Sequence, residues 1–432
     1  MNLIDLSLKL NGFPINKAER KLKQIEGIQA EKYEEFINNQ KLAIVNFHLK
    51  NNNFYREIVK LKTHNWESLP VLEKKDLQIS LQQRLSDNFT LDRIFKNKTS
   101  GSSGNPFYFA KDKFSHALTW AVIKNRFNWH QLYGKKQARF YGIPQNGFDR
   151  KKELLKDFFS NRYRFDVFDV SHSAIERWLK KFESSKFVYL NGYTSVLVVF
   201  AKYLISQKKL LKDICPTLQA CVVTSEMLFK SDRTILEKGF GVKVINEYGA
   251  SELDLIAFED ANGNWILNTS TLYVEVLNDL NKPVKDGEIG DIVITSLFNK
   301  AHPFIRYKIG DRGAIKKVDS KKYLLEKLEG RNEDIIKLPS GKVSPGLTFY
   351  YITKSVMEDS GKIREIKVIQ NRLDNFTIEY ISDMKLTKSE EIKITDALIK
   401  YLEPDLDINF VKLEKLKRSK SGKLKQFTSL IK

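Results

Sequence analysis

Residues 220–252 read ACVVTSEMLFKSDRTILEKGFGVKVINEYGASE, and this stretch decides the fold class. A short apolar run at 220–224 is followed by an amphipathic stretch at 225–238 and then by a second apolar run at 242–246. Short apolar runs bounded by turn signals read as buried strands, and the helical periodicity between them reads as a connecting helix. Working outward, the same alternation predicts strands at 138–143 and 187–190 and helices at 115–129 and 194–205. Strands alternating with helices predict a largely parallel sheet covered on its faces. Further along, 273–276 and 291–297 read as strands flanking glycine turns at Asp286-Gly287 and Gly290, so a smaller meander is expected there.

From Met1 to about Phe95 the pattern is helical and strongly charged, with apolar residues such as Leu61 and Trp66 interrupted by polar clusters like Asn51 to Asn53. A domain boundary is expected near Gly330. Beyond it the chain predicts a strand at 334–338, a turn at Pro339-Ser340-Gly341, a helix from Leu347, and strands at 365–369 and 376–381. Thr387 and Glu390 have the spacing of a capping box, and Ile394, Ala397, Leu398, Tyr401 and Leu402 then recur on one helical face. A strand at 408–413 and a basic loop close the chain.

At 432 residues the chain exceeds what one hydrophobic core usually serves, so two domains are expected. Apolar residues at 42 % supply enough core to exclude global disorder. The longest apolar approach, 188–204, is broken by Asn191, Gly192, Thr194, Ser195 and Lys202, which predicts no membrane span. The N-terminal stretch carries Asp5 and Lys9 and lacks the basic start and small-residue cleavage site of a secretory signal. Cys215 and Cys221 alone are too few for a disulfide framework or a four-cysteine metal site, and a cytoplasmic protein is the simple expectation. The formal charge of +20 would favour polyanions, nucleic acid or an anionic membrane surface alike. Its lysines are dispersed, however, with no aromatic-interleaved stripe or recognition motif, so no specific nucleic acid partner is expected.

Five short motifs carry chemistry. Thr99-Ser-Gly-Ser-Ser-Gly-Asn-Pro106 combines glycines with hydroxyls, which frees the backbone to curl around an anion; it lacks the ending of a Walker A loop. Taken alone it reads equally as a linker. At the end of a predicted strand, Asn246-Glu-Tyr-Gly-Ala-Ser-Glu252 sets a ring, a tight glycine turn and a carboxylate together, where α/β sheets usually hold ligands. In isolation it reads as an ordinary strand-to-helix turn. Asp311 follows a glycine turn in Phe304-Ile-Arg-Tyr-Lys-Ile-Gly-Asp311, and Arg331 offers a planar donor fork at the proposed domain junction. Arg418-Ser-Lys-Ser-Gly-Lys-Leu-Lys425 presents Lys423 on a basic loop that by itself reads as a solvated tail. His302, before Pro303, reads as a turn residue rather than a base.

Five weak motifs in one fixed order are much rarer than any one of them. Together they resemble the adenylate-forming superfamily of acyl-CoA synthetases and adenylation domains, in its phenylacetate-CoA ligase-like, CapK-type branch. Leu69-Pro-Val-Leu-Glu-Lys-Lys-Asp-Leu77 and Val223-Thr-Ser-Glu226 are similar to that branch's signatures, and the resemblance spans residues 65 to 427. It implies an α/β chain with a large multi-layer N-terminal domain of mostly parallel sheets at 1–329, mainly helical over 1–95, that binds ATP and a carboxylate. A small, mobile α+β C-terminal domain at 330–432 would carry the catalytic lysine loop.

The resemblance implies that Thr99, Ser100, Gly101, Ser102, Ser103 and Gly104 form the phosphate loop. Tyr248, Gly249 and Ser251 would lie at the nucleotide, Glu252 would hold Mg²⁺, and Asp311 and Arg331 would contact ribose. Lys423 would bridge the substrate carboxylate and the α-phosphate, and Glu333 would be the hinge. Two positions depart from the wider superfamily: Phe107 follows Pro106 where a lysine is common, and Glu333 stands where Asp is usual. The implied cofactors are ATP, Mg²⁺ and coenzyme A, the partner a small-molecule carboxylic acid. The acceptor stays open between coenzyme A and an amine of the kind used in surface polysaccharide synthesis. A non-catalytic polyanion-binding relative is the third reading, against which the presence of all five motifs counts.

Overall fold

The structure is a computed structural model that describes residues 3–60, 65–99, 107–142, 148–331, 335–345, 363–418 and 424–431; of Arg331 it describes the backbone. The chain divides into two compact units, Met1–Ile309 with Gly313–Leu328, and Gly310–Arg312 with Glu329–Lys432.

The helices are α1 (Leu3–Leu10), α2 (Ile15–Glu26), α3 (Ala30–Asn51), α4 (Asn53–Val59), α5 (Lys113–Asn128), α6 (Phe148–Phe159), α7 (His172–Glu183), α8 (Thr194–Ser206), α9 (Leu211–Ile214), α10 (Lys230–Phe240) and α11 (Lys388–Tyr401). The first strands are β1 (Phe95–Lys98), β2 (Tyr108–Lys111), β3 (Gln137–Phe140), β4 (Arg162–Phe165), β5 (Tyr189–Tyr193), β6 (Ala220–Thr224) and β7 (Lys243–Ala250). There follow β8 (Asp254–Glu259), β9 (Trp265–Leu267), β10 (Leu272–Leu277), β11 (Gly290–Ser296), β12 (Tyr307–Lys317) and β13 (Tyr323–Arg331). The last are β14 (Ile335–Lys337), β15 (Val343–Pro345), β16 (Ile363–Gln370), β17 (Asn375–Ser382), β18 (Asp407–Lys412) and β19 (Phe427–Ser429).

One eleven-stranded sheet runs β10-β11-β12-β13-β9-β8-β7-β6-β5-β3-β4. Its half from β4 to β7 is parallel, whereas β7–β8, β8–β9, β9–β13 and β10–β11 pair antiparallel. The expected parallel α/β half is there, and β6 coincides with the apolar run that predicts it. Every residue of β5 and β6 is buried, as strands covered on both faces require. Helices α8 and α10 cross closely because Gly239 has no side chain: a Cβ there would sit 2.8 Å from Cβ of Ala201. In α2 the buried residues Ile15, Ala18, Leu22 and Ile25 recur at helical spacing.

Three expectations need correction. The helix predicted from Ser225 starts at Lys230, because Ser225 is left-handed (φ 68°) and Glu226 turns back to accept the Ser195 amide at 2.7 Å, at the start of α8. The strand predicted to stop at Asn246 continues to Ala250 and reverses into β8 with no helix following. Asp311, expected just after a glycine turn, lies within the continuous strand β12, next to Gly310 at φ 90°.

In the second unit a four-stranded sheet runs β18-β17-β16-β19, antiparallel between β16 and β17 and parallel at both flanking pairs. The capping box of Thr387 and Glu390 opens α11 as expected. A buried Arg418–Glu365 ion pair ties the chain after β18 to β16. The helix expected from Leu347 lies outside the described residues. Among the described residues, no helix is long and apolar enough to cross a membrane.

Candidate active site

The hairpin of β1 and β2 pairs Lys98 with Tyr108, and its connecting loop is the predicted phosphate loop. Its two ends are locked together: the Thr99 amide donates to the Phe107 carbonyl at 2.9 Å, and the Phe107 amide donates to Thr99 Oγ1 at 3.1 Å. Ser100, Gly101, Ser102, Ser103 and Gly104 lie outside the described residues.

From this base a buried chain of contacts leads to Glu252. The Phe107 ring stacks on Tyr307 at 6.4 Å and 19°, and the Tyr307 hydroxyl donates to Glu252 Oε1 at 3.2 Å. Phe107, Tyr248 and Tyr307 belong to one apolar cluster. Tyr248 is buried with its ring 6.1 Å from Trp265, and Glu252 is only 7 % exposed. Glu252 occupies the loop of the β7–β8 hairpin, between the paired residues Ala250 and Asp254. The pairing register shifts between Tyr248 and Gly249. Gly249 is required there by proximity rather than by turn geometry, since a Cβ would meet the Asp254 carbonyl oxygen at 2.5 Å.

A second group of charges surrounds this hairpin. Lys111, at the end of β2, is buried and pairs with Asp254, which also accepts from Thr119 Oγ1 at 2.8 Å. Burial pushes the Lys111 ammonium down to about 7, with the Glu252 carboxylate opposing that shift.

The carboxyl ends of the parallel strands form a polar wall that the motifs did not single out. The Arg139 guanidinium lies 3.9 Å from the Tyr141 ring centroid and donates to Asn191 Oδ1 at 3.3 Å. Tyr141 in turn lies 4.7 Å from the Tyr193 ring. Burial raises the Glu247 carboxyl pKa, while a hydrogen bond from Thr224 and the Arg139 charge oppose it. Ligands of open α/β sheets sit at the carboxyl ends of strands, where Tyr141 and Tyr193 fall, while Arg139 and Asn191 lie further inside β3 and β5.

The remaining sequence-predicted residues are distributed otherwise. Asp311 and the backbone of Arg331, at the end of β13, belong to the second unit. Glu333 and Lys423 lie outside the described residues. His302 is fully buried, its Nε2 accepting from Arg84 Nη1 at 2.5 Å. Burial and the Arg84 charge hold His302 well below its ordinary pKa, so it packs the interior as a neutral ring.

The donor chemistry of Glu252 fits Mg²⁺. The ion takes hard oxygen ligands and is commonly held by one or two carboxylates together with substrate phosphates. Among the described residues no cluster of three or more metal-binding side chains occurs, and a site of that kind needs none.

No protein-family model matches the chain. It is 22 % identical over 393 residues to protein CapK of Staphylococcus aureus, covering 87 % of this chain and 83 % of that one. It is 31 % identical over 100 residues, 22 % of each chain, to the phenylacetate-coenzyme A ligase of Thermus thermophilus. The fold matches 2-hydroxyisobutyryl-CoA ligase in complex with 2-HIB-AMP at a TM-score of 0.70 and 16 % identity, over 93 % of this chain and 90 % of that one. Similarity along most of the chain, the shared fold and the ordered motifs point the same way: the chain is similar to adenylate-forming ligases of the phenylacetate-CoA ligase-like, CapK-type branch.

Proposed function

We propose that this protein uses ATP to convert a small carboxylic acid into an acyl-adenylate and then transfers the acyl group to coenzyme A. The observation that supports this most is the buried line from the Thr99–Phe107 loop base through Tyr307 to Glu252. It joins a loop suited to phosphate oxygens to a carboxylate suited to their counterion.

In adenylation a carboxylate oxygen attacks the α-phosphorus and pyrophosphate leaves, so negative charge gathers on phosphoryl oxygens and must be met by positioned donors. Thr99 and the loop after it would cradle the phosphates. Glu252 would hold Mg²⁺, which when bound neutralises charge on the phosphates. Tyr307, by donating to one oxygen of Glu252, fixes the direction of the other. Tyr248, Gly249 and Ser251 would border the nucleotide, Asp311 and Arg331 would take the ribose, and Lys423 would bridge the acid and the α-phosphate. Glu333 would be the pivot of domain alternation. The wall of Arg139, Tyr141 and Asn191 would face the acid, which favours a substrate with polar groups over a plain hydrocarbon chain.

Acid-dependent exchange of pyrophosphate into ATP, run over a panel of carboxylic acids, tests the first step. Lys423→Ala should abolish that exchange in a folded protein; undiminished exchange would remove Lys423 from the site. AMP release that requires coenzyme A supports the thiol acceptor. Release that instead requires an amine, such as an amino sugar or amino acid, replaces it with amide formation. No exchange with any acid would leave the polyanion-binding relative standing.

A further inference from the structure

The turn of the β7–β8 hairpin carries two carboxylates two positions apart, and the structure treats them differently. Glu252 lies in the loop and receives one hydrogen bond, from a tyrosine hydroxyl. Asp254 opens β8 in a left-handed backbone conformation, φ 60°, which Asp and Asn tolerate and most other residues do not. Its side chain leaves the hairpin and meets two elements outside it: the Lys111 ammonium at the end of β2, and the Thr119 hydroxyl at 2.8 Å on α5.

A lysine with 5 % side-chain exposure is costly to keep in an interior unless it is paired. Lys111 is also close enough to Glu252 for the two charges to interact. The segment from Phe107 through β2 therefore holds the hairpin at two points. At one end Phe107, through Tyr307, fixes the Glu252 carboxylate; at the other Lys111 fixes Asp254. The strand that leaves the phosphate loop thereby sets where Glu252 stands.

We propose that Lys111, Asp254 and Thr119 are positioning residues that lock the Glu252 hairpin and keep its two carboxylates in separate roles, Asp254 committed to the clamp and Glu252 left for the metal. This rests on the reading of Glu252 as the Mg²⁺ ligand. Without Lys111, the two carboxylates of this one turn would compete for a single cation. With it, Asp254 is held by the lysine and Glu252 is left for the metal.

The test is ATP binding by the full chain, measured by calorimetry across a Mg²⁺ series and without Mg²⁺, with no acid present so that nothing turns over. Glu252→Gln serves as the reference and should raise the half-saturating Mg²⁺ concentration most. Asp254→Asn keeps the backbone conformation and an acceptor for Thr119 but gives up the charge. It should raise that concentration by about tenfold or more, the usual effect of disturbing a group that orients a metal ligand. Lys111→Met should match it, and Thr119→Val, the mildest change, should shift it by a few-fold. Mg²⁺-free ATP binding should stay within about twofold of the parent throughout, a selectivity that mere loosening of the fold would not produce.

If Glu252→Gln shifts the Mg²⁺ requirement while Asp254→Asn and Thr119→Val leave it unchanged, the positioning role is wrong and the Glu252 reading survives. Should Glu252→Gln itself change nothing, both fall. Equal loss of ATP binding with and without Mg²⁺ in Asp254→Asn would reduce the clamp to ordinary packing and overturn the proposal.

Discussion

Two regions of the large unit are built on opposite principles. In the parallel half, α7, α8 and α10 pack on β3, β5 and β6 through rings: Phe200 alone lies 5.4 to 5.9 Å from Phe140, Trp178, Phe182 and Phe240. Around β2 the rings of Phe107, Phe304 and Tyr307 are joined in the interior by charge and imidazole. Lys111 meets Asp254, Arg84 meets His302, Arg306 lies 3.4 Å from Glu275, and His48 sits between Ser86 and Asn299. Ring packing is non-directional and contributes stability in proportion to area, whereas buried ion pairs largely forfeit their attraction to desolvation and return geometry. The ring-packed region holds the fold together, and the charge-packed region holds Thr99, Phe107 and Glu252 in a fixed arrangement.

The largest effect should come from the first region. Phe200→Ala should cost about 3–5 kcal/mol of stability, as ring truncation in a filled core does. Urea unfolding would measure it, and ATP binding by the folded fraction should be unaffected. A loss below about 1 kcal/mol would break the comparison, because the rings would then not be the main source of stability.

Next comes pH, which should act on the second region. His48 is fully buried; its Nε2–H donates to the Asn299 carbonyl at 2.9 Å, and Nδ1 accepts from Ser86 at 3.1 Å. Burial pushes it down to about 4, with the Asn299 bond opposing. The unfolded chain takes up this proton near about pH 6.5 and the folded one only near about 4. The stability it contributes is therefore complete above the unfolded value and is lost as pH falls between those two limits. At 1.36 kcal/mol per unit the loss reaches about 3 kcal/mol. Urea midpoints at a series of pH values should show His48→Gln flattening the acid limb relative to the parent. An unchanged slope would mean that His48 is not held neutral.

The same contrast explains what the sequence reveals. Strand β6 and helix α10 are legible because their signals are local: an unbroken apolar run, and an amphipathic stretch of helical length. The stretch after Tyr248 reads as a strand-to-helix turn because nothing local marks the reversal into β8. What forces it is the close approach of Gly249 to Asp254 and the pull of Lys111 from a distant strand. The Arg84–His302 and Trp66–Glu275 bonds likewise join residues more than 200 positions apart, and no periodicity encodes them. Motif order could name Glu252 and Tyr248, but not the residues that orient them, since an orienting residue is defined by contact rather than by spacing.

A purely local device gives the opposite limit, and the smallest effect should come from it. The Thr387 hydroxyl accepts the Glu390 amide at 3.3 Å, and the Glu390 carboxylate accepts the Thr387 amide at 2.8 Å, both groups being exposed. Neither bond depends on another element, which is why four residues of sequence were enough to predict it. Losing such a cap typically costs about 1 kcal/mol, because one amide of the first turn must then find water instead. Ile394 and Leu398 still bury the face of α11, so the helix itself should persist. In Thr387→Ala the first-turn amides of α11 should exchange with solvent about fivefold faster by native-state hydrogen exchange, the equivalent of that energy. Amides of β6 and β7 should be unchanged. Acceleration that spread to those strands would mean that a local, exposed cap is coupled to the ring-packed core, and the division between local and long-range stabilisation would fail. No acceleration at all would mean that the box is formed but contributes nothing, as many exposed polar pairs do.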